Sequence, residues 1–492
     1  MLWKKIEAFS QTRASQIAVI GSDDKYTWFE LQQATIEVAQ MLTLSRHKVL
    51  ALYADNSPAW IIVDLACRLA NVTLLPLPAF FSDQQLMHAI KQAGVTGIIH
   101  HAEDRISQLL ELNEQNASPI LPLDFVVNAI EQVGVTLPET TAKITFTSGS
   151  TGQPKGVCLS NEQQLRVAES LLQATELVAP KHLSILPFST LLENIGGIYA
   201  PLLGGGTIIA LPQEALGFNG SNGFDLNKLL STISHYQPSS MILLPELLMA
   251  LVAAISKGWQ APPSLKFIAV GGSKVSPHLL DNAQALGLPV YEGYGLSECG
   301  SVVSLNSPSD AKLGTIGKVL PHLSVTIEQG ELVVEGNAFL GYIDERDSWL
   351  KSKVYTGDLG FFDEQNYLNI NGRKKNLLIS SFGRNINPEW IESELLSNGL
   401  FQQCIVFGDA KPYCIALVYP RDSATNDLLI QAWIDSVNQQ LPNYARIEQW
   451  AKLKQPMTFA NHLMTSNGRP VRKNILNYYE TLIEQLYIKE AI

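Results

Sequence analysis

Residues 48–77 read KVLALYADNSPAWIIVDLACRLANVTLLPL, and this stretch decides the fold class. Residues 48–54 are a short, nearly unbroken apolar run, as a strand buried on both faces requires. Asn56-Ser57-Pro58 then supplies a helix start: a capping side chain, then Pro at the first helical position, where its missing N–H costs nothing. Trp60, Ile61, Val63, Leu65 and Leu69 make that helix apolar almost all round, so it belongs inside the protein. Asp64 and Arg68, spaced i,i+4 on its one polar strip, are expected to pair. Residues 73–77 read as the next strand, 83–92 as the next helix and 95–100 as a further strand. Strand and helix alternating at this spacing mean βαβ units and a parallel sheet.

Working outward, the alternation resumes beyond a Gly-rich loop at 148–156. Residues 184–186, 207–211, 241–244, 266–270 and 289–292 read as short buried strands between helices. From about 315 the chain turns β-rich, with strands at 324–327, 331–335 and 367–370 and turns at Gln329-Gly330 and Asp363-Glu364. An Asn371-Gly372 turn meets the basic run Arg373-Lys374-Lys375, and the domain boundary is placed there, giving domains 1–373 and 374–492. In the second domain, 391–396 is helical, 404–407 and 414–419 are strands, and a last helix covers 471–488. Val471, Ile475, Tyr479, Leu482 and Leu486 share one face of it. The expected fold is α/β: a large N-terminal region of parallel and mixed sheets with flanking helices and a β-rich subdomain, then a small α+β C-terminal domain.

A chain of 492 residues is long enough for two to four domains at roughly 100–200 residues each. Its 46% apolar content excludes intrinsic disorder. Lys and Arg number 35 against 46 Asp and Glu, a net charge of −11, which argues against a nucleic-acid-binding surface. A local phosphate site remains compatible, because a few backbone N–H groups can hold phosphate inside an acidic protein. The five cysteines form no CxxC pair and no secretory signal is present, so reduced thiols and a cytoplasmic setting are expected. The most apolar stretch, 60–81, is broken by Asp64, Arg68, Pro76 and Pro78 and is not a membrane span.

Four segments carry chemistry. Residues 147–156, TSGSTGQPKG, combine small hydroxyl residues and glycines that let backbone N–H groups approach phosphate oxygens. Thr147, Ser148, Ser150 and Thr151 add donors, Gly149 and Gly152 add close approach, and Lys155 adds a point charge; a plain flexible linker would need no lysine there. Residues 291–298, YEGYGLSE, follow a strand and so lie at its carboxyl end, where open α/β sheets bind ligands. Tyr294 between Gly293 and Gly295 can stack on a base and Glu298 can hold Mg²⁺, although an aromatic near such a turn is more often packing. Residues 355–360, YTGDLG, place Asp358 in a tight turn, suited to ribose hydroxyls or simply to the turn itself. The basic cluster at 371–376, NGRKKN, is either a solvated linker or a hinge that meets a nucleotide phosphate.

In this order the four segments resemble the adenylate-forming superfamily: acyl-CoA synthetases, aryl-CoA ligases, peptide-synthetase adenylation domains and firefly luciferase. The likeness extends from YTWFEL at 26–31 and NSPAW at 56–60 through FLGY at 339–342 to TSNGR at 465–469. It implies ATP-dependent activation of a carboxylic acid to an acyl-adenylate with release of pyrophosphate, then transfer to a thiol. That thiol belongs to coenzyme A or, alternatively, to the phosphopantetheine of an acyl carrier protein. By the resemblance, Thr147 and the loop after it embrace the β- and γ-phosphates. Gly272, Ser273, Glu292, Gly293, Tyr294 and Gly295 frame the adenine, and Glu298 binds Mg²⁺. Asp358 and Arg373 hold the ribose, and Lys375 is the hinge about which a mobile C-terminal domain swings. A monomer or homodimer is implied.

Two positions depart from the pattern. Where the family carries a lysine in a C-terminal Asn-Gly-Lys turn, this chain has Arg469, which keeps the charge but replaces a compact ammonium by a planar fork. Either Arg469 or Lys473, one helical turn on, bridges carboxylate and α-phosphate, or the protein binds nucleotide with little turnover. Thr190 stands where acyl-CoA ligases usually have His, while Glu193 matches their acidic residue. Phe188, Thr190, Ile195, Leu243, Leu244, Val302 and Val303 are the expected acyl-side residues, individually also readable as core. An unpaired substrate ammonium would be costly among them, so a fatty or aryl acid is expected.

Overall fold

In the computed structural model the described residues are 1–102, 104–112, 114–131, 135–147, 154–219, 223–465 and 468–488. The helix Pro58–Leu69 starts as its sequence dictates, with Ser57 Oγ accepting the Trp60 N–H at 3.2 Å. It lies mostly inside, with Trp60 1% exposed, but its last turn reaches the surface, where Leu69 is 37% exposed. The strand before it, Val49–Tyr53, pairs in parallel with Thr73–Pro76 on one side and Gly97–His100 on the other. Lys143–Thr147 extends this sheet in parallel, and Lys155–Leu159 turns back antiparallel beside it. The short strand Gly341–Tyr342 closes that edge against Lys155–Leu159.

A second, nine-stranded sheet has a parallel interior, running from Val290–Tyr294 through Phe267–Val270, Ser240–Leu243, Lys181–Leu183 and Thr207–Ile209 to Ile17–Ile20. Trp28, Trp60, Phe188 and Tyr199 fill the larger core cluster. The β-rich region is a four-stranded antiparallel sheet of Ser324–Glu328, Glu331–Glu335, Lys353–Phe362 and Leu368–Arg373. Beyond it, Phe401–Phe407, Cys414–Pro420 and Ile447–Lys452 form a three-stranded sheet with its own core against the helices Pro388–Leu396 and Asp427–Asn438. The architecture is therefore the mixed α/β fold expected. Among the described residues no helix is long and apolar enough to cross a membrane. All five thiols are free and buried.

Four expectations need correction. Asp358 and the Asn371-Gly372 pair lie not in turns but within the paired strands Lys353–Phe362 and Leu368–Arg373. Asp64 does not pair with Arg68. Its carboxylate takes the Lys143 ammonium at 2.6 Å and the Tyr199 hydroxyl at 2.6 Å, while Arg68 turns to Gln164 and Asn161. Asp64 is fully buried, and a buried carboxylate demands a full set of donors, which only a long-range partner supplied. The strand expected at 184–186 lies earlier, at Lys181–Leu183, and the residues after it bend away to hold the loop before Leu191. The last helix is two, Arg472–Tyr478 and Glu480–Ile488, because the backbone at Tyr479 leaves helical geometry. A 3.6-residue pattern survives such a break and does not reveal it.

Candidate active site

The carboxyl ends of Ser240–Leu243, Phe267–Val270 and Val290–Tyr294 converge on one crevice. Gly272 follows the middle strand with φ +87°, and a Cβ there would lie 3.0 Å from Leu244 Cδ2. Gly295 is tighter still, since a Cβ would come within 1.7 Å of the Ser301 carbonyl oxygen, so only glycine lets the 291–298 segment fold back here. The third strand ends in Tyr294, whose hydroxyl donates to Asp358 Oδ2 at 2.6 Å. Burial, and after it the Asp358 charge, pushes the Tyr294 hydroxyl far up, so it is the donor.

Asp358 and Arg373 are opposite each other across the hairpin of Lys353–Phe362 and Leu368–Arg373. Arg373 Nε donates to Asp358 Oδ1 at 2.8 Å. Burial raises the Asp358 carboxyl, and Arg373 and Tyr294 oppose that shift. Two segments of the sequence some sixty residues apart, YEGYG and YTGD, thus meet in one carboxylate.

From the C-terminal side Arg469 enters the same crevice. Its guanidinium donates to the Gly272 carbonyl at 2.9 Å. The residue as a whole is exposed, while its guanidinium is bonded to the protein backbone. Burial, then Arg373, lowers its affinity for its proton, with Glu389 and Asp358 opposing. Lys375 is lowered likewise, by burial first and then by Arg373. Arg373, Lys375 and Arg469 therefore share one field with the carboxylates Asp358 and Glu389, an arrangement suited to a polyanion. Lys473 lies on the helix Arg472–Tyr478, and of the two candidate cations it is Arg469 that is bonded to Gly272.

Thr147 ends the strand Lys143–Thr147 and pairs in register with Lys155, so the loop between them leaves from and returns to one place. Ser148, Gly149, Ser150, Thr151 and Gly152 lie outside the described residues. Lys155 Nζ pairs with Glu345 at 2.7 Å and sits 4.8 Å from the centre of the Tyr342 ring. The Tyr342 hydroxyl donates to Glu298 Oε1 at 2.7 Å. Glu298 Oε2 has no hydrogen-bond partner among the described residues, and a free carboxylate oxygen is what Mg²⁺ takes. Glu292 faces inward at 6% exposure. Burial pushes its carboxyl up to about 7, against the charge of Lys274 and the Val275 N–H. Gly293 pairs with Leu305 on the neighbouring strand, while Ser273 is exposed beside Gly272.

The expected acyl-side residues divide. Phe188, Ile195, Val302 and Val303 lie in the larger core cluster and Leu243 in the second. Leu244 is 38% exposed beside Gly272, and Thr190 is partly exposed ahead of the short helix Leu191–Glu193. Glu193 is fully buried and bonded to His182 Nε2 at 3.0 Å. Asn56 clamps the loop, accepting the Phe188 N–H at 2.7 Å and donating to the Leu186 carbonyl at 2.9 Å.

Several partners were not read from the sequence. Glu389 accepts from Asn376 Nδ2 at 2.6 Å beside the cation cluster. Ser276 donates to Glu394 Oε2 at 2.9 Å, tying the helix Pro277–Ala285 to Pro388–Leu396. Tyr342 belongs to the FLGY segment, where the sequence assigned it no role. For Lys143 a signal existed, a lone cation opening an apolar strand.

The AMP-binding enzyme family matches residues 6–343, and the AMP-binding enzyme C-terminal domain matches 375–491. A 2-succinylbenzoate–CoA ligase of Staphylococcus epidermidis is 27% identical over 398 residues, covering 78% of this chain and 80% of its own. The long-chain-fatty-acid–CoA ligase FadD15 of Mycobacterium tuberculosis is 39% identical over 158 residues, 30% of this chain and 26% of its own. Among solved structures, the o-succinylbenzoate coenzyme A synthetase of Bacillus subtilis, in complex with ATP and magnesium ion, superposes with a TM-score of 0.76. It is 21% identical, and the likeness covers 95% of this chain and 98% of that one.

Proposed function

The chain belongs to the AMP-binding enzyme family as an AMP-forming acid–thiol ligase, and on that premise we propose that it activates a hydrophobic carboxylic acid, fatty or aryl, and passes the acyl group to coenzyme A. A substrate carboxylate oxygen attacks the α-phosphorus of ATP, the bond to the bridging β-oxygen breaks, and pyrophosphate leaves. The coenzyme A thiolate then attacks the acyl carbon of the mixed anhydride, and AMP leaves with the bonding pair.

Arg469 carries the reading. Its guanidinium, bonded to Gly272 and in the field of Arg373 and Lys375, supplies positive charge where negative charge grows at the α-phosphate. Preorganised charge of this kind commonly lowers a barrier more than any other single effect. The planar fork can bridge a carboxylate and a phosphate oxygen with two parallel bonds, so replacing the lysine keeps the function. Asp358, oriented by Tyr294 and Arg373, offers its oxygens to ribose hydroxyls. Mg²⁺, held by Glu298 with phosphate oxygens, would neutralise the β- and γ-phosphates and ease departure of pyrophosphate.

A hydrophobic acid is favoured because Glu193, the acidic side chain of the 188–197 segment, is fully buried and held by His182 and the Leu186 N–H, out of reach of a substrate ammonium. Of the relatives, one is named for a long-chain fatty acid and the other for 2-succinylbenzoate, an aromatic acid with a second carboxylate. The test is a panel of short- to long-chain fatty acids, benzoates, 2-succinylbenzoate and amino acids with Mg²⁺ and ATP. The acyl-adenylate is trapped with hydroxylamine and coenzyme A consumption is followed in parallel. The reading expects hydroxamate with at least one apolar acid and none with amino acids.

A further inference from the structure

Tyr342 touches two charged groups at opposite parts of its side chain. Its hydroxyl donates to Glu298 Oε1 at 2.7 Å, and the Lys155 ammonium stands 4.8 Å from its ring centre. The backbone beneath is fixed from several directions. Gly341 and Tyr342 pair with Cys158 and Val157, on the strand that Lys155 begins. The Tyr342 N–H donates to Ser348 Oγ at 2.9 Å, and its carbonyl accepts from the Trp349 indole at 2.8 Å. Phe339 donates its N–H to the Glu298 carbonyl at 2.8 Å, and its ring meets Tyr342 edge-on at 4.7 Å. Gly341 has φ +138°, and a Cβ there would come 2.4 Å from Trp349 Cδ1, so this close turn requires glycine. A phenol held this way is a rigid spacer between the strand of Lys155 and the turn of Glu298.

We propose that Tyr342 is a positioning residue for the metal–nucleotide site: it engages one oxygen of Glu298, leaves the other free for the metal, and holds Lys155 over its ring at a fixed distance from that carboxylate. The inference rests on the adenylate-forming reading above. The phenol hydroxyl is the donor and the Glu298 carboxylate the acceptor. A bond to a charged acceptor is directional and stronger than a neutral one, so it fixes the rotation of the carboxylate. The ring contributes separately, because a cation over an aromatic face is attracted whether or not the hydroxyl is present. The two functions can therefore be removed one at a time.

Binding of ATP is measured by calorimetry, once with Mg²⁺ and once with EDTA, for the wild type, Tyr342→Phe, Tyr342→Leu, Glu298→Gln and the Tyr342→Phe/Glu298→Gln double variant. Far-UV circular dichroism and thermal unfolding confirm that each variant is folded. Tyr342→Phe keeps the ring, so metal-free affinity is expected to stay at the wild-type value while the Mg²⁺-dependent gain shrinks roughly tenfold, as for a lost bond to a charged group. Tyr342→Leu is expected to weaken both. The double variant should be no worse than Glu298→Gln alone, because Tyr342 acts through that carboxylate. An unchanged Mg²⁺-dependent gain in Tyr342→Phe, or additive losses in the double variant, would overturn the inference alone. A wild type that binds no ATP in either buffer would overturn the parent reading and the inference with it.

Discussion

Lys143 and Asp64, 79 positions apart in sequence, meet at 2.6 Å with both side chains buried, and Asn194 and Tyr199 complete the cluster from the segment Asn194–Tyr199. That segment is π-helical, with i→i+5 bonding that widens the turn. Breaking one side of a buried pair leaves a charge without compensation. Asp64→Asn and Lys143→Met are each expected to lower unfolding free energy by about 3–5 kcal/mol. The double replacement by apolar residues of similar volume should recover most of the loss. Urea unfolding of the three variants checks this.

Glu292 gives a pH dependence of opposite sign to an ordinary surface carboxylate. Its pKa rises on folding from 4.5 to about 7, so between those values the folded state holds more proton than the unfolded one. Stability is then full below the unfolded pKa and falls as pH climbs toward 7, by a few kcal/mol in total for a shift of this size. Glu292→Gln should flatten the decline between pH 5 and 7. Chemical unfolding across that range reads it directly.

The Ser276–Glu394 bond at 2.9 Å and the Arg469–Gly272 bond both anchor the small domain to residues 272–276. Burial raises the Glu394 carboxyl, and Ser276, His278 and Lys274 oppose it. Glu394→Ala is expected to cost about 1–3 kcal/mol through the unsatisfied Ser276 hydroxyl and the lost contact. Faster hydrogen exchange confined to 271–276 and 388–396 would report the loosened anchor.

Asp358→Asn should leave the cross-strand hairpin in place while removing the charge that orders Arg373 and Tyr294. The expected result is a KM for ATP raised by about tenfold, the size of one bond to a charged group, with a smaller fall in kcat. Steady-state kinetics in ATP at saturating acid separates the two.

Much of this was legible locally. The helix Asp83–Gln92 and the strand Glu331–Glu335 have the bounds their patterns give, because caps and alternation act within a few residues. The strand leading into YEGYG was legible for the same reason, whereas the strands Lys143–Thr147 and Lys155–Leu159 were not read, and YTGD lies within the strand Lys353–Phe362 rather than in the tight turn its Gly and Asp suggest. What escaped depends on partners far along the chain. Asp64 near Arg68 looks like a helix pair until Lys143 arrives from another strand. Ser276 looks like an ordinary helix cap, yet its hydroxyl serves Glu394 on another domain. Phe188 and Val303 carry the same apolar signal whether they line a pocket or fill a core, and only packing separates the two.

The central claim is that Arg469 performs the charge neutralisation of adenylation in place of a lysine. Its most direct test is acid-dependent pyrophosphate release from Mg·ATP by the wild type, Arg469→Ala and Lys473→Ala, with the acid that gives most hydroxamate. The account predicts an active wild type, a loss of about 10²-fold or more in Arg469→Ala, in line with removing a preorganised transition-state charge, and wild-type rates in Lys473→Ala. Equal rates in wild type and Arg469→Ala, or a loss confined to Lys473→Ala, would contradict it.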